Sequence, residues 1–208
     1  MNGMRLNLSH CNLWDKKDWI NNVQEVSEQL HIQPSILIDM KGRELRLKNM
    51  ENEMYLFQDS TLSLDTDILP EEIVKHAKTK DILLIDDGRL RLQIEKTEGT
   101  SLLCKTLTAG YLKGKKSIAI ENKSIHGKTL NENDIANLKK AKEYGITGIM
   151  QPFVCNAQDL IDVKNTLQEL DLDLKIYAKI ENMEGVKNLE SLFPYCDQII
   201  IARGDLGN

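Results

Sequence analysis

Four stretches of this chain are apolar runs, SILIDMK (35–41), GITGIMQPF (145–153), LKIYAKIE (174–181) and QIIIARGD (198–205), and all but the second end abruptly in charge. A strand with one wet face alternates apolar with polar, whereas these runs are apolar at both parities. That pattern belongs to parallel sheets covered by helices on their faces. A fifth and shorter segment, RLNLS (5–9), alternates more cleanly. Helical spacing fills the gaps. Trp19, Val23, Val26 and Leu30 follow RLNLS, and Ala157, Leu160, Ile161, Val163 and Leu167 follow GITGIMQPF. Asn131, with Asp134 three residues on, predicts an N-cap for a helix over IANLKKAKEY that Gly145 ends. Strands alternating with helices at this spacing predict an α/β fold with five parallel strands, at 5–9, 35–40, 146–153, 174–181 and 198–205.

Between Lys48 and Lys123 the character changes. Short β-like runs (MYLFQ, TLSLD, DILLIDD, LRLQIEK, SLLCKTL) are separated by turn signals such as Asp87-Gly88 and Glu98-Gly99. The expected organisation is a β/α domain over residues 1–47 and 124–208, with a small β-rich domain inserted at 48–123. Charge and cysteine usage narrow the function. With 27 Lys+Arg against 32 Asp+Glu and no basic stripe, a nucleic-acid partner is disfavoured. Cys11, Cys104, Cys155 and Cys196 lack paired spacing, which argues against a disulfide framework or zinc site. No leader or bilayer-length apolar run is present, so no membrane association and a cytoplasmic location are expected.

Function in such folds collects at the carboxyl ends of the strands. Those ends carry Asn7, Ser9 and His10; Asp39, Lys41 and Glu44; Lys179 and Glu181; and Arg203 and Asp205. One charge at a strand end is ordinary turn chemistry. Four polar ends out of five point to a site. Glu181 and Asp205, at equivalent places on neighbouring strands, could share a hard divalent cation such as Mg²⁺. Lys179, two residues before Glu181, projects from the same strand face and could neutralise an enolate or a transferring phosphoryl group.

The segments AKIENMEGVKNLESLF and IARGDLG closely resemble the fifth and sixth barrel strands of pyruvate kinase. RLNLSH is similar to that family's RLNFSH, IDMKGREL to its LDTKGPEIR, and ILLIDDGRLRLQI to a hairpin of its mobile lid domain. KGKKSIAIENKSIHGKTLNENDIANLKK resembles the return from lid to barrel. Nearly the whole chain is covered in the family's order. The resemblance implies a partial TIM (β/α) barrel with an inserted β-rich lid, and transfer of a phosphoryl group from phosphoenolpyruvate to ADP, giving pyruvate and ATP in glycolysis. It implies Mg²⁺ (or Mn²⁺) on Glu181 and Asp205, and K⁺ on Asn7, Ser9, Asp39 and the carbonyl of Met40. Lys179 would stabilise the transferring group, Arg5 would contact it, and the backbone at Arg203, Gly204 and Asp205 would receive the substrate carboxylate. Arg5, His10, Arg46 and Lys116 would meet the nucleotide. Glu44 falls at the position that is acidic in potassium-dependent members.

Departures accompany the likeness. Cys11, Met40 and Arg43 stand where the family has glycine, threonine and proline. Pro152 and Cys155 replace a serine and an arginine at the edge of the pocket, and His126, Gly127 and Lys128 replace an Asp-Leu-Pro segment. Counterparts of the first, seventh and eighth barrel strands are missing, and with them a threonine that assists transfer and protonation. Open sheet edges are then expected, to be covered by the remainder of a longer protein or by a homo-oligomer. A catalytically silent fragment that keeps metal and carboxylate binding is one alternative to the kinase. A metal-dependent pyruvate-enolate aldolase or lyase is another.

Overall fold

The computed structural model describes residues 2–9, 11–43, 45–123, 125 and 127–206, with Gly204 and Asp205 described through their backbone alone. Strand β1 (Gly3–Asn7) leads through a 3-10 turn (Leu13–Lys16) into α1 (Lys17–Gln29) and back to β2 (Ser35–Asp39). The middle of the chain holds β3 (Met54–Leu56), β4 (Thr61–Asp65), α2 (Glu71–His76), β5 (Ile82–Ile85), β6 (Leu90–Glu98), β7 (Ser101–Thr106), β8 (Gly110–Leu112) and β9 (Ile118–Ile120). Alternation then resumes with α3 (Glu132–Leu138), β10 (Gly148–Gln151), α4 (Ala157–Glu169) and β11 (Lys175–Ile180). Two short helices, α5 (Met183–Lys187) and α6 (Leu189–Leu192), precede β12 (Gln198–Ile201) and α7 (Arg203–Leu206). The chain divides into two compact units, Met1–Arg43 with Gly127–Leu206, and Glu44–His126.

In the first unit all strands run parallel, in the order β1-β2-β10-β11-β12. The fold is α/β, as the doubly apolar runs predict. Its core lies on one face of the sheet, where Leu6, Ile38, Ile149 and Ala178 meet Leu138 and Leu160 from the helices. The opposite parity is less apolar than the sequence suggests. Arg5, Asp39 and Lys179 occupy it toward the carboxyl ends, because position i and position i+2 of a strand share a face.

Three helical turns of the first unit begin with the same device. Asn12, Asn131 and Asn156 begin helical turns, and an aspartate three residues later (Asp15, Asp134, Asp159) bonds back to the cap in a capping box. Asn182 caps α5 by accepting from the Gly185 amide at 2.8 Å. Three of the returns from helix to strand also share one device. His31, Gly145 and Asp171 adopt φ of 52°, 63° and 52°, and paired bonds close the helix end, for example Ile146 N–H to Ala141 O and Gly145 N–H to Lys142 O. This is the Schellman arrangement. The helix expected to run as far as Gly145 is shorter, since after Leu138 it tightens into turns with bonds such as Ala141 N–H to Leu138 O. Strand β12 likewise stops at Ile201, so Asp205 lies on the helical turn α7 rather than at a strand end.

The second unit contains a five-stranded antiparallel sheet, ordered β4-β7-β6-β5-β9, and a two-stranded pair, β3-β8. Both turn signals form hairpins. Asp86 and Asp87 take φ of 54° and 56° ahead of Gly88 between β5 and β6, and Gly99 (φ 62°) opens the β6–β7 turn. The sheet buries Leu64, Leu83, Leu92, Ile94, Leu102 and Cys104. Burial pushes the Cys104 thiol up to about 12, so the native protein should leave it unalkylated by iodoacetamide at pH 8 until denaturant is added, as peptide mass spectrometry can read. In the first unit, a Cβ at Gly185 would collide with the Val154 carbonyl oxygen. Gly185→Ala should lower stability by about 1–3 kcal/mol in urea unfolding.

Candidate functional site

Lys179 organises the carboxyl end of the parallel sheet. Its Nζ lies 2.8 Å from Glu181 Oε1 and 3.4 Å from Asp39 Oδ1. The other oxygen of Asp39 accepts from Arg5, whose Nε lies 3.0 Å away and whose Nη2 pairs with the same atom. The other oxygen of Glu181 accepts the Phe153 N–H at 2.9 Å. Phe153 adopts φ 54°, a left-handed conformation rare for a bulky residue, and with it turns its amide toward the carboxylate. Arg5 comes from β1, Asp39 from β2, Phe153 from the turn after β10, and Lys179 with Glu181 from the end of β11. Four successive strands thus feed one cluster of two cations and two carboxylates.

Burial makes the pairing obligatory. Asp39 and Glu181 side chains keep 4% and 2% of their exposure, against 18% for Lys179. Burial on its own would lower the Lys179 ammonium, but the hydrogen bond and charge of Glu181, joined by Asp39, outweigh it and hold the amine above its ordinary value of 10.5. The cluster therefore presents a fixed positive charge beside acidic oxygens.

The remaining sequence-predicted residues fall as follows. Asn7 Oδ1 accepts the Ser9 N–H at 2.9 Å, closing a turn past the end of β1, and the Met40 N–H donates to Met150 O at 3.0 Å. Asn7 pairs in register with Asp39, so these oxygens gather at one end of β1 and β2. Arg46 and Lys116 belong to the other unit. There Arg46 donates to Lys115 O at 2.9 Å, and Lys116 is ion-paired with Asp86 at 2.8 Å. Arg203 opens α7. His10 and Glu44, and the side chain of Asp205, lie outside the described residues.

The donor chemistry fits hard cations. Glu181 and Asp39 offer only oxygens, the donor type such cations take. Among the described residues, no group of three or more His, Cys, Asp or Glu side chains comes together as a cation site. Nor is any helix among them long and apolar enough to cross a membrane.

Three residues at this end are absent from the predicted site: Asp134, read from the sequence only as part of a helix cap, Asp159 and Phe153. Asp134 and Asp159 each accept bonds from the loops at this end as well as capping their own helices. The Asn-x-x-Asp repeat at 131–134 and 156–159 was the available signal. Nothing in the sequence marks Phe153, whose contribution is a backbone amide.

A parallel β/α sheet with charged groups gathered at its carboxyl edge is the class of protein that works from its strand ends. The family model described as "Pyruvate kinase, barrel domain" matches residues 1–208, and the chain belongs to that family. A pyruvate kinase of Clostridium perfringens is 28% identical over 220 residues, taking in 100% of this chain and 46% of the relative. One from Borreliella burgdorferi is 30% identical and is covered over 45% of its length, again with 100% of this chain. In a crystal structure of a pyruvate kinase from Cryptosporidium parvum, 46% of that chain matches 100% of this one, with a TM-score of 0.88 at 27% identity. The chain thus spans less than half the length of these relatives.

Lys179→Met should destabilise the protein by about 3 kcal/mol at pH 7, because it leaves two buried carboxylates without their shared cation. A lysine raised on folding stabilises fully below its unfolded value and loses that contribution as pH climbs through the folded one. The free-energy gap between native and Lys179→Met protein should therefore stay flat from pH 7 to about 10 and narrow above 10.5. Chemical denaturation along that pH series measures it, and a gap that already closes below pH 9 means the amine is not held as a cation.

Proposed function

We propose that this chain is the catalytic-site segment of a pyruvate kinase, moving a phosphoryl group from phosphoenolpyruvate to ADP. The carrying observation is the Lys179 ammonium held between Glu181 and Asp39 at the mouth of the sheet. In the transfer, the bond from phosphorus to the enol oxygen breaks and one forms to a terminal oxygen of ADP, leaving the enolate of pyruvate to take up a proton. A fixed cation beside the bridging oxygen stabilises charge developing on both fragments without reorganisation.

In this reading Lys179 faces the transferring group, with the half-exposed Arg5 guanidinium reaching it from β1. Glu181 and Asp205 would hold Mg²⁺ or Mn²⁺, which when bound supplies further charge neutralisation for the enolate and phosphoryl oxygens. Asn7, Ser9, Asp39 and the Met40 carbonyl would hold K⁺. The backbone of Arg203, Gly204 and Asp205 would receive the substrate carboxylate. Residues 1–47 and 124–208 would then form part of a β/α barrel, and residues 48–123 its lid. The nucleotide phosphates would meet Arg5, His10, Arg46 and Lys116, the last contributed by the lid once it gives up its pairing with Asp86. The family membership and the ordered motifs support this assignment.

The test has two tiers, since the chain is shorter than its relatives. Incubated with phosphoenolpyruvate, ADP, Mg²⁺ and K⁺, the chain should release pyruvate, and Lys179→Met should cut the rate at least about a hundredfold. Independently, oxalate, which mimics the enolate of pyruvate, should bind together with Mn²⁺ in calorimetry, and Glu181→Gln should abolish that binding. Oxalate binding without turnover would assign the chain to metal and carboxylate binding alone. The absence of both sinks the proposal.

A further inference from the structure

The turn that follows Asp39 is held from behind by parts of the fold that the phosphotransfer reading does not use. Asp134, fully buried, accepts N–H bonds from Lys41 and Gly42, both at 2.9 Å, and from Asn131 at 3.2 Å. Only the last belongs to its own helix. Asn131, the N-cap of α3, completes the grip by donating from its amide to Gly42 O at 2.8 Å. At Gly42 the backbone is left-handed (φ 59°), and a Cβ would lie 2.7 Å from Pro152 Cγ, so the turn is tailored to this seat.

The next residue is gripped in the same manner by the next helix. The Arg43 guanidinium, its side chain 8% exposed, pairs with Asp159, the corresponding aspartate of α4, which also accepts the Cys155 N–H at 2.7 Å. Residues 41–43 are therefore seated on the capping boxes of two successive helices.

We propose that Asp134 and Asn131 are positioning residues of the candidate site, fixing through the 41–42 turn where β2 presents the Asp39 carboxylate and the Met40 carbonyl. The chemistry of the side chain supports this. Three N–H groups converge on Asp134, and both carboxylate oxygens are used, Oδ1 by Lys41 and Oδ2 by Gly42 and Asn131. An asparagine has one acceptor oxygen and could not receive them all. Burial raises the Asp134 carboxyl above its ordinary value despite these bonds, so the interior exacts a cost for this side chain that the three N–H groups only partly offset. For a helix cap alone, a half-exposed side chain would suffice.

The inference rests on the proposed function only in naming Met40 as a potassium ligand, and its decisive test does not use turnover. Amide hydrogen exchange, followed by NMR on the full chain, should show Lys41 and Gly42 opening at least about tenfold faster in Asp134→Asn, the loss of one charge-assisted hydrogen bond. Leu167→Ala, a core variant on α4 away from the turn, is the reference for general loosening. Should Asp134→Asn fail to fold, Asn131→Ser retains a capping oxygen but removes the donor to Gly42 O. The Gly42 and Arg43 amides should then exchange faster while the Asp134 amide stays protected. Unchanged exchange at the turn, or an equal acceleration in Leu167→Ala, overturns the proposal. In parallel, the difference in Tm between KCl and NaCl should shrink in Asp134→Asn but persist in Leu167→Ala. A native protein that shows no such difference overturns the potassium assignment and leaves the exchange result to decide the positioning role.

Discussion

The ammonium of Lys179 is what allows the carboxyl end of the parallel sheet to exist in its present form. Asp39 and Glu181 are almost wholly buried on strands separated by β10, about 10 Å apart at sheet spacing. A buried carboxylate left without a cation is strongly destabilising, and one ammonium between the two serves both. Lysine suits the gap, because a long flexible stem carries a compact charge that can be shared between oxygens at different distances. Arg5 and the Phe153 amide then take the outward oxygens, so each carboxylate is satisfied from both sides. A single charge balance thus ties β1, β2, β10 and β11 to one another at the end where the chemistry is proposed.

The fold was legible because burial writes itself into periodicity. Runs apolar at both parities gave the parallel sheet, and Asp87-Gly88 and Glu98-Gly99 gave the hairpins of the other unit. Where the sequence misled, short-range bonding was at issue. Nothing in LKKAKEYG distinguishes an α-helix from a series of tighter turns, and nothing in IIIARGD says that the strand stops at Ile201. For the site, residue type and strand parity were enough to pair Lys179 with Glu181. The reach of Lys179 to Asp39 was not readable, since it depends on which strands are neighbours in space rather than in sequence.

The departures from the family pattern also acquire a physical account. Arg43 and Cys155 look like unrelated substitutions in the sequence, yet both converge on Asp159. One brings a guanidinium to its carboxylate, and the other a backbone amide. The Cys155 thiol is buried and held above its ordinary value by that burial, so it behaves as a small apolar group packed beside the ion pair. Pro152 packs where Gly42 has no side chain.

The closing turns at His31, Gly145 and Asp171 all lie at the amino-terminal rim of the sheet, opposite the charged cluster. Two of the three hold a side chain in a conformation that glycine occupies at no steric cost. That rim is a store of unspent stability. Because it shares no residue with the far end, sequence drift there can offset losses incurred at the chemical end, which leaves the two rims of one sheet free to evolve on separate terms.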